Sequence, residues 1–304
     1  MRFETHPLPA PGVSHAHFRS YESGFLLRTP RGAALGIDLT HQAICFQRAE
    51  PSTVTPRLFN PLPPTSDHPL GGLIIEEIQG HPPTLPDDLP IIAQTLAALH
   101  RLPLPPPEQR PPLASPPDPM ATLVRQTEAQ TAFFNAAGLS KTTLQRLRED
   151  MEQARKAISL IETPAPTTLI GVDTHPGNFL IDAQGKGWFV DLEKLSYGCP
   201  MVDLAHAELP TSLLWASGRK IVLSPEQSRI FYETWMNAVP SALAQMAAPW
   251  REATRQWVRL RSLSWMARWR ALTDSQIGAS LPPLLRREIL ERIEQCFQCD
   301  APQT

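Results

Sequence analysis

The stretch IGVDTHPGNFLIDAQGKGWFVDLEKLSYGCPMVDLAH, residues 170–206, sets isolated acids and one asparagine between short apolar runs. TLIGVD is an apolar strand ending in Asp173, NFLID a second ending in Asp182, and GWFVDLE a third ending in Asp191 and Glu193. The turn AQGKG, residues 183–187, joins the last two as a hairpin. That pairing brings the loop before Asn178 close to the end of the strand carrying Asp191, so Asp173, Asn178 and Asp191 are expected to converge. Two carboxylates and an amide suit a magnesium ion, which takes oxygen ligands and shares them with substrate phosphates. An acid a few residues upstream can orient a hydroxyl for attack, which is the division of labour that phosphoryl transfer needs. Any one of these aspartates read alone is equally a turn cap. It is the ordered set that points to chemistry.

Working outward, GFLLRTPRGAALGIDL reads as a hairpin of residues 24–27 and 33–37 turning at Pro30, Arg31 and Gly32. THQAICFQRAE, residues 40–50, reads as a short helix with Thr40 as N-cap, and LIIEEIQG, residues 73–80, as an apolar strand ending in acids and a glycine. Ile92, Leu96, Leu99 and Leu102 then fall at helical spacing. PLPPPEQRPPLASPPDPM, residues 103–120, is too proline-rich for helix or central strand and reads as an exposed, partly polyproline loop. Helical patterns resume before residue 162, Ser140 capping the second, and fill the chain beyond residue 206.

The 304 residues carry a net charge of −2, so no global field recruits nucleic acid or an anionic membrane. No window approaches the roughly 18 apolar residues of a spanning helix, and the N-terminus has no uninterrupted apolar stretch of the kind a signal peptide needs. Four cysteines are too few to staple a chain of this length, so a reducing, cytoplasmic setting is expected. Cys296 and Cys299 form a CxxC, but a closed zinc site needs about four ligands, and two buried or half-buried thiols one turn apart are the simpler reading.

The segment GVDTHPGNFLID followed by GWFVDLEKLSYGCPMVDLAH resembles the signature of the aminoglycoside phosphotransferase and choline kinase group, small-molecule kinases with a protein-kinase-like fold. GGLIIEEIQG is similar to that group's inter-lobe strand and hinge, and TLAALHRLP to the helix that follows. The resemblance implies an α+β, two-lobed protein-kinase-like fold. Residues 1–80 would form a small, mostly antiparallel β lobe, and residues 81–304 a larger helical lobe with the catalytic loop, metal site and acceptor pocket. It further implies an ATP- and Mg²⁺-dependent transfer to a hydroxyl of a small molecule. Asp173 would orient the acceptor, Asn178 and Asp191 would bind the metal, and Glu193 would be a further metal-binding group or support the metal ligands. Glu76, Glu77 and Ile78 would lie against the nucleotide base. His175 would shape the HPGN turn, and Asp203 would support the catalytic loop.

The chain also departs from the pattern. Gly171 stands where the group usually has histidine, and no glycine-rich hairpin precedes it in HFRSYESGFLL. The group's small-lobe lysine or arginine and its helix glutamate find no counterparts in AALGIDL or before Glu50 in THQAICFQRAE. Arg19 or Arg28 is a replacement charge from a neighbouring strand, a solvated surface arginine being the simpler reading of each. A nucleotide-binding or regulatory module without catalysis is therefore the competing expectation. Beyond residue 206, Trp215, Trp235, Trp250, Trp257, Trp265 and Trp269 offer faces for a cationic acceptor or fill the core, and the arginines among them leave acidic acceptors open too.

Overall fold

The computed structural model describes residues 2–8, 14–32, 36–272 and 283–300. Its first lobe is an antiparallel sheet of β1 (His15–Arg19), β2 (Phe25–Pro30), β3 (Leu58–Leu62) and β4 (Gly72–Glu76) in the order β1-β2-β4-β3. One helix, α1 (Leu39–Ala49), packs on β3 and β4. Leu27, Cys45, Phe46, Leu73 and Ile75 are buried where sheet and helix meet, and each full-sized apolar side chain buried there contributes about 1.5–3 kcal/mol.

The hairpin in this lobe is not the one expected. β2 pairs with β1, which precedes it, in register from His15 opposite Pro30 to Arg19 opposite Leu26. The turn is closed by Ser20 N–H donating to the Phe25 carbonyl, with Gly24 at φ +89°, a conformation glycine adopts without a Cβ penalty. Residues 33–35 lie outside the described residues, and 36–38 are not strand. The helix cap also moves, to Asp38, whose side chain accepts from the N–H groups of Thr40 and His41.

Two small sheets lead into the second lobe. β5 (Gly80–His81), β7 (Phe179–Asp182) and β8 (Gly187–Phe189) form one in the order β5-β7-β8, while β6 (Thr168–Ile170) pairs antiparallel with β9 (Ser196–Gly198). The expected hairpin is therefore β7–β8, and TLIGVD joins the other sheet. α2 (Leu89–His100) carries Ile92, Leu96 and Leu99 on its buried face against α8 (Pro225–Ala238). The rest of the lobe comprises α3 (Pro119–Thr131), α4 (Phe133–Ala136), α5 (Lys141–Ser159), α6 (Met201–Glu208), α7 (Pro210–Ser217), α9 (Ser241–Ala247), α10 (Arg251–Ala271) and α11 (Pro283–Asp300). α10 runs through its centre, against α3, α4, α5 and α6, with Trp257, Val258, Leu260 and Leu263 fully buried.

The proline-rich segment is pinned rather than loose. Leu113 and Met120 are buried, Tyr197 N–H donates to the Ala114 carbonyl, and Arg110 bonds the Pro105 carbonyl and the Ser115 hydroxyl. Its end supplies a helix start, Asp118 capping α3 with Pro119 in the first turn, where a missing N–H costs nothing. Cys296 is buried with its thiol pushed up to about 12 by that burial, and its Sγ approaches the Thr211 carbonyl. No helix among the described residues is long and apolar enough to cross a membrane.

Candidate functional site

Between β6 and β7 the chain folds into a loop held from below by one buried carboxylate. Asp203, on the first turn of α6 and fully buried, accepts from Gly171 N–H at 2.6 Å through Oδ2 and from Val172 N–H at 2.8 Å through Oδ1. Its Oδ2 also lies 3.0 Å from His100 Nε2, and His100 Nδ1 accepts from the Trp235 indole at 2.9 Å. An indole N–H only donates, so the His100 proton resides on Nε2 and points at Asp203. The same residue's backbone carbonyl accepts from the Thr174 hydroxyl.

These bonds hold an unfavourable backbone. Val172 sits at φ +66°, and Asp173 N–H donates to the Gly171 carbonyl at 2.8 Å, a three-residue turn rarely seen around a β-branched residue. Such a conformation costs about 1–3 kcal/mol and persists only when its surroundings over-determine it. Arg261 adds a further tether by donating to the Val172 carbonyl. Gly171 is also sterically required, since a Cβ there would stand 2.7 Å from Thr174 Cγ2 and 2.8 Å from the Phe189 ring. The ring of Phe189 occupies the room that a histidine at 171 would need.

The loop presents Asp173 with a quarter of its side chain exposed. Its Oδ2 accepts from Lys194 Nζ, and its Oδ1 lies 3.8 Å from His206 Nδ1 and 4.0 Å from His175 Nε2. Burial works to push this carboxyl up, but the charges around it, Lys194 foremost, hold it far below the usual carboxylate range. His206 Nδ1 accepts from Thr174 N–H, and burial depresses this imidazole to about 3. His175 Nδ1 accepts from Gly177 N–H in the turn Pro176–Asn178, and burial lowers it as well. Both rings are therefore neutral at pH 7, and the ammonium of Lys194 is the charge that keeps Asp173 ionised.

Asn178 follows directly. Its Nδ2 donates to the Asp173 carbonyl at 2.8 Å, and its own carbonyl accepts from Val190 N–H at 3.0 Å. With Phe179 opposite Phe189 in the β7–β8 register, Asn178 and Asp191 emerge together at the open end of the hairpin. Asp173, Asn178 and Asp191 thus converge. Asn178 Oδ1 and Asp191 Oδ2 take no hydrogen bond among the described residues, and two uncommitted oxygens on adjacent strands fit a hard divalent cation.

Arg28 on β2 reaches across from the first lobe. Its Nη2 donates to Asp191 Oδ1 at 2.8 Å and to Glu193 Oε2 at 3.0 Å, with the side chain only 5% exposed. It is not a solvated arginine. Its Nε is buried without a hydrogen-bond partner among the described residues. Glu193 is turned toward this guanidinium and toward His15 Nδ1, 3.2 Å away, and burial with Asp191 alongside pushes its carboxyl up. The basic residue of the small lobe therefore exists, one strand earlier than AALGIDL, and its partners are the acids of the second lobe rather than a helix glutamate. Arg19, by contrast, is half exposed and pairs with Glu77 at 2.6 Å.

Glu76, Glu77 and Ile78 lead from β4 to β5, and β5 pairs with β7 at Asp182 and Ile181, toward the turn of the β7–β8 hairpin rather than its Asn178 end. Glu76 N–H donates to the Arg57 carbonyl and Glu77 N–H to the Gly24 carbonyl. Lys194, His100 and His206 were not legible as site residues, because each meets a partner distant in sequence, and Trp235, one of the candidate acceptor faces, is instead fully buried with its indole on His100. Among the described residues no group of three or more His, Cys, Asp or Glu side chains is placed to hold a metal ion.

Comparison with known proteins agrees with this geometry. Residues 9–219 match the model of a family described as the phosphotransferase enzyme family. No curated protein sequence matches the chain. Among solved structures, a choline/ethanolamine kinase family protein from Mesorhizobium loti is similar over 99% of this chain and 89% of its own, with TM-score 0.62 at 15% identity. An ethanolamine kinase from Plasmodium vivax covers 99% of this chain and 82% of its own, with TM-score 0.66 at 12% identity. The GDP and kanamycin complex of APH(2")-IIia covers 97% and 93%, with TM-score 0.62 at 12% identity. At such identities the likeness shows the fold, a small antiparallel lobe and a helical lobe of the kinase-like type.

Proposed function

Because the chain belongs to the phosphotransferase enzyme family, we propose that it transfers the terminal phosphoryl group of ATP, with Mg²⁺, to a hydroxyl of a small metabolite. The observation that carries this reading is the joining of Asp173 to Asn178 through the 2.8 Å bond between the Asn178 amide and the Asp173 carbonyl, at the hairpin end that also bears Asp191. Acceptor side and nucleotide side are thereby locked at one separation.

Each residue then has a defined task. Asp173, kept ionised, accepts the hydrogen bond of the acceptor hydroxyl and takes its proton as the bond to phosphorus forms. Asn178 Oδ1 and Asp191 Oδ2 would hold the metal, which when bound offsets charge on the nucleotide phosphates. Arg28 would bring a cation from the first lobe to the acids beside the metal, Asp191 and Glu193. Glu193 keeps that guanidinium aimed at the site rather than ligating the metal itself. Glu76, Glu77 and Ile78 would flank the base, at the boundary between the units 1–80 and 81–304.

For the acceptor, an amine-bearing alcohol is the class supported by the half-buried ring of Trp265, edge-on 5.8 Å from Trp215 on α7, the helix against the Pro176–Asn178 turn; Trp215 itself already has Arg292 near its face. The similar solved proteins include kinases named for ethanolamine and for choline/ethanolamine. Trp269 is not part of such a pocket, since Arg286 already stands over it.

The test is phosphoryl transfer from labelled ATP to a panel of amino alcohols. Asp173→Ala should lose at least about 100-fold in turnover while still binding ATP. Tight ATP binding without turnover in the wild type would make the protein a nucleotide-binding module instead.

A further inference from the structure

Lys194 is a charged group at the centre of the site to which the metal, base and acceptor roles above give no task. It belongs to a turn in which Leu195 N–H donates to the Leu192 carbonyl, and Leu192 and Leu195 are both buried. With its flanks anchored, the turn sends its two central side chains in different directions. Glu193 goes to Arg28 and His15, and Lys194 to Asp173 Oδ2.

The ammonium is therefore paired with the acceptor-orienting carboxylate, from a residue adjacent to Glu193 and three positions after Asp191. Asp173, then Asp191 and Glu193, raise its affinity for a proton against the opposing effect of burial. The side chain is nonetheless 48% exposed, so it can be reached from solvent and can move. Stability does not account for it, because ion pairs at this exposure contribute about 0–1 kcal/mol at most. Of the other cations nearby, Arg28 is bound to Asp191 and Glu193 from the first lobe, and Arg261 to the Val172 carbonyl, so neither contacts Asp173.

We propose that Lys194 is a catalytic residue that binds the transferring phosphoryl group. This rests on the phosphotransferase reading above. In the free protein its Nζ is held on Asp173. When the acceptor hydroxyl takes that carboxylate oxygen, Nζ turns to the non-bridging oxygens of the terminal phosphate. The acceptor oxygen then forms its bond to phosphorus as the bond from phosphorus to the bridging oxygen breaks. The electron pair leaves on the nucleoside diphosphate, and the hydroxyl proton passes to Asp173. Lys194 gains and loses no proton. It offsets charge where charge is concentrated on the group in flight.

The contact with the terminal phosphate is what the experiment reads. In Lys194→Met, kcat should fall about 100- to 1,000-fold, ATP should bind more weakly, and ADP, which lacks that phosphate, should bind as before. Lys194→Arg should recover part of the loss. Asp173→Asn should bind ATP more tightly than the wild type, since Nζ is released, and that gain should vanish in Asp173→Asn combined with Lys194→Met. Full turnover in Lys194→Met, or an equal change in ATP and ADP affinity, overturns the proposal and leaves the phosphotransferase reading intact. A wild type that binds no ATP removes both. Thermal melting of Lys194→Met at the parental temperature separates either result from a folding defect.

Discussion

Replacing Asp203 by asparagine should be far more damaging than its near-identical shape implies. The carboxylate receives three donors: Gly171 N–H and His100 Nε2–H at Oδ2, and Val172 N–H at Oδ1. In its better orientation the asparagine keeps an oxygen where two donors meet and places an amino group 2.8 Å from Val172 N–H, donor against donor. One bond to a charged acceptor, about 1.5–3 kcal/mol, is lost, and a buried N–H is left unpaired at about 1–3 kcal/mol more. Relaxation of the Val172 turn returns about 1–3 kcal/mol. The net cost is about 1.5–3 kcal/mol, a sizeable part of the 5–15 kcal/mol typical of a folded chain. At about 2 °C per kcal/mol for a protein of this size, the melting temperature should fall by about 3–6 °C. The same relaxation displaces Asp173, and an error of about 1 Å at a reacting group costs about 100-fold in rate. Calorimetry and phosphoryl transfer measured on one preparation read both effects. A variant that melts within about 1 °C of its parent would refute the view that this carboxylate holds the loop.

Two other perturbations test the surroundings of the site. Arg28→Met removes the cation that Asp191 and Glu193 share, leaving two half-buried acids side by side; the apparent affinity for ATP should drop at least about tenfold and stability should fall by about 1–3 kcal/mol, both read by titration and denaturant unfolding. Stability should also decline as pH falls below 6.5: burial depresses His15 to about 2, His206 to about 3 and His17 to about 4, so the unfolded chain takes up protons that the folded one refuses. Each such histidine adds up to about 1.4 kcal/mol per pH unit between its folded value and 6.5. His206→Gln, whose amide oxygen can still accept from Thr174 N–H, should flatten that slope by one proton, and an unchanged slope would show that His206 is not the group titrating.

The helical lobe and the core of the site were legible because their signals are local. Alternation and a glycine turn place β7 and β8, and a hairpin leaves Asn178 and Asp191 no choice but to meet. α2 follows from Ile92, Leu96 and Leu99 in the same way. The small lobe was misread where pairing is not local. A glycine and a proline flank β2, and the composition alone does not say which side turns; β1 won because Gly24 takes the positive φ that closes the tight connection. That choice moved the basic strand, and with it the identity of the small-lobe cation. Arg28 and Asp191 are 163 positions apart in sequence, so no periodicity could couple them. The proline-rich segment resembled free loop by composition, yet Leu113 and Met120 bury against the second lobe and hold it down. Lys194 and His100 escaped notice for a related reason, since a lone cation or a histidine on an apolar helix gains its meaning only from the carboxylate opposite.

The packing of Phe189 against Gly171 constrains the history open to this chain. A side chain at 171 would stand 2.7 Å from Thr174 Cγ2 and 2.8 Å from the Phe189 ring, so both neighbours must give way together, and a smaller residue at 189 alone leaves a void beneath the Asp173 loop, at a cost of about 3–5 kcal/mol for loss of a buried ring. Single substitutions in either direction are therefore costly. The three positions behave as a ratchet, and variants that place a histidine at 171 are expected only with Thr174 and Phe189 replaced alongside it.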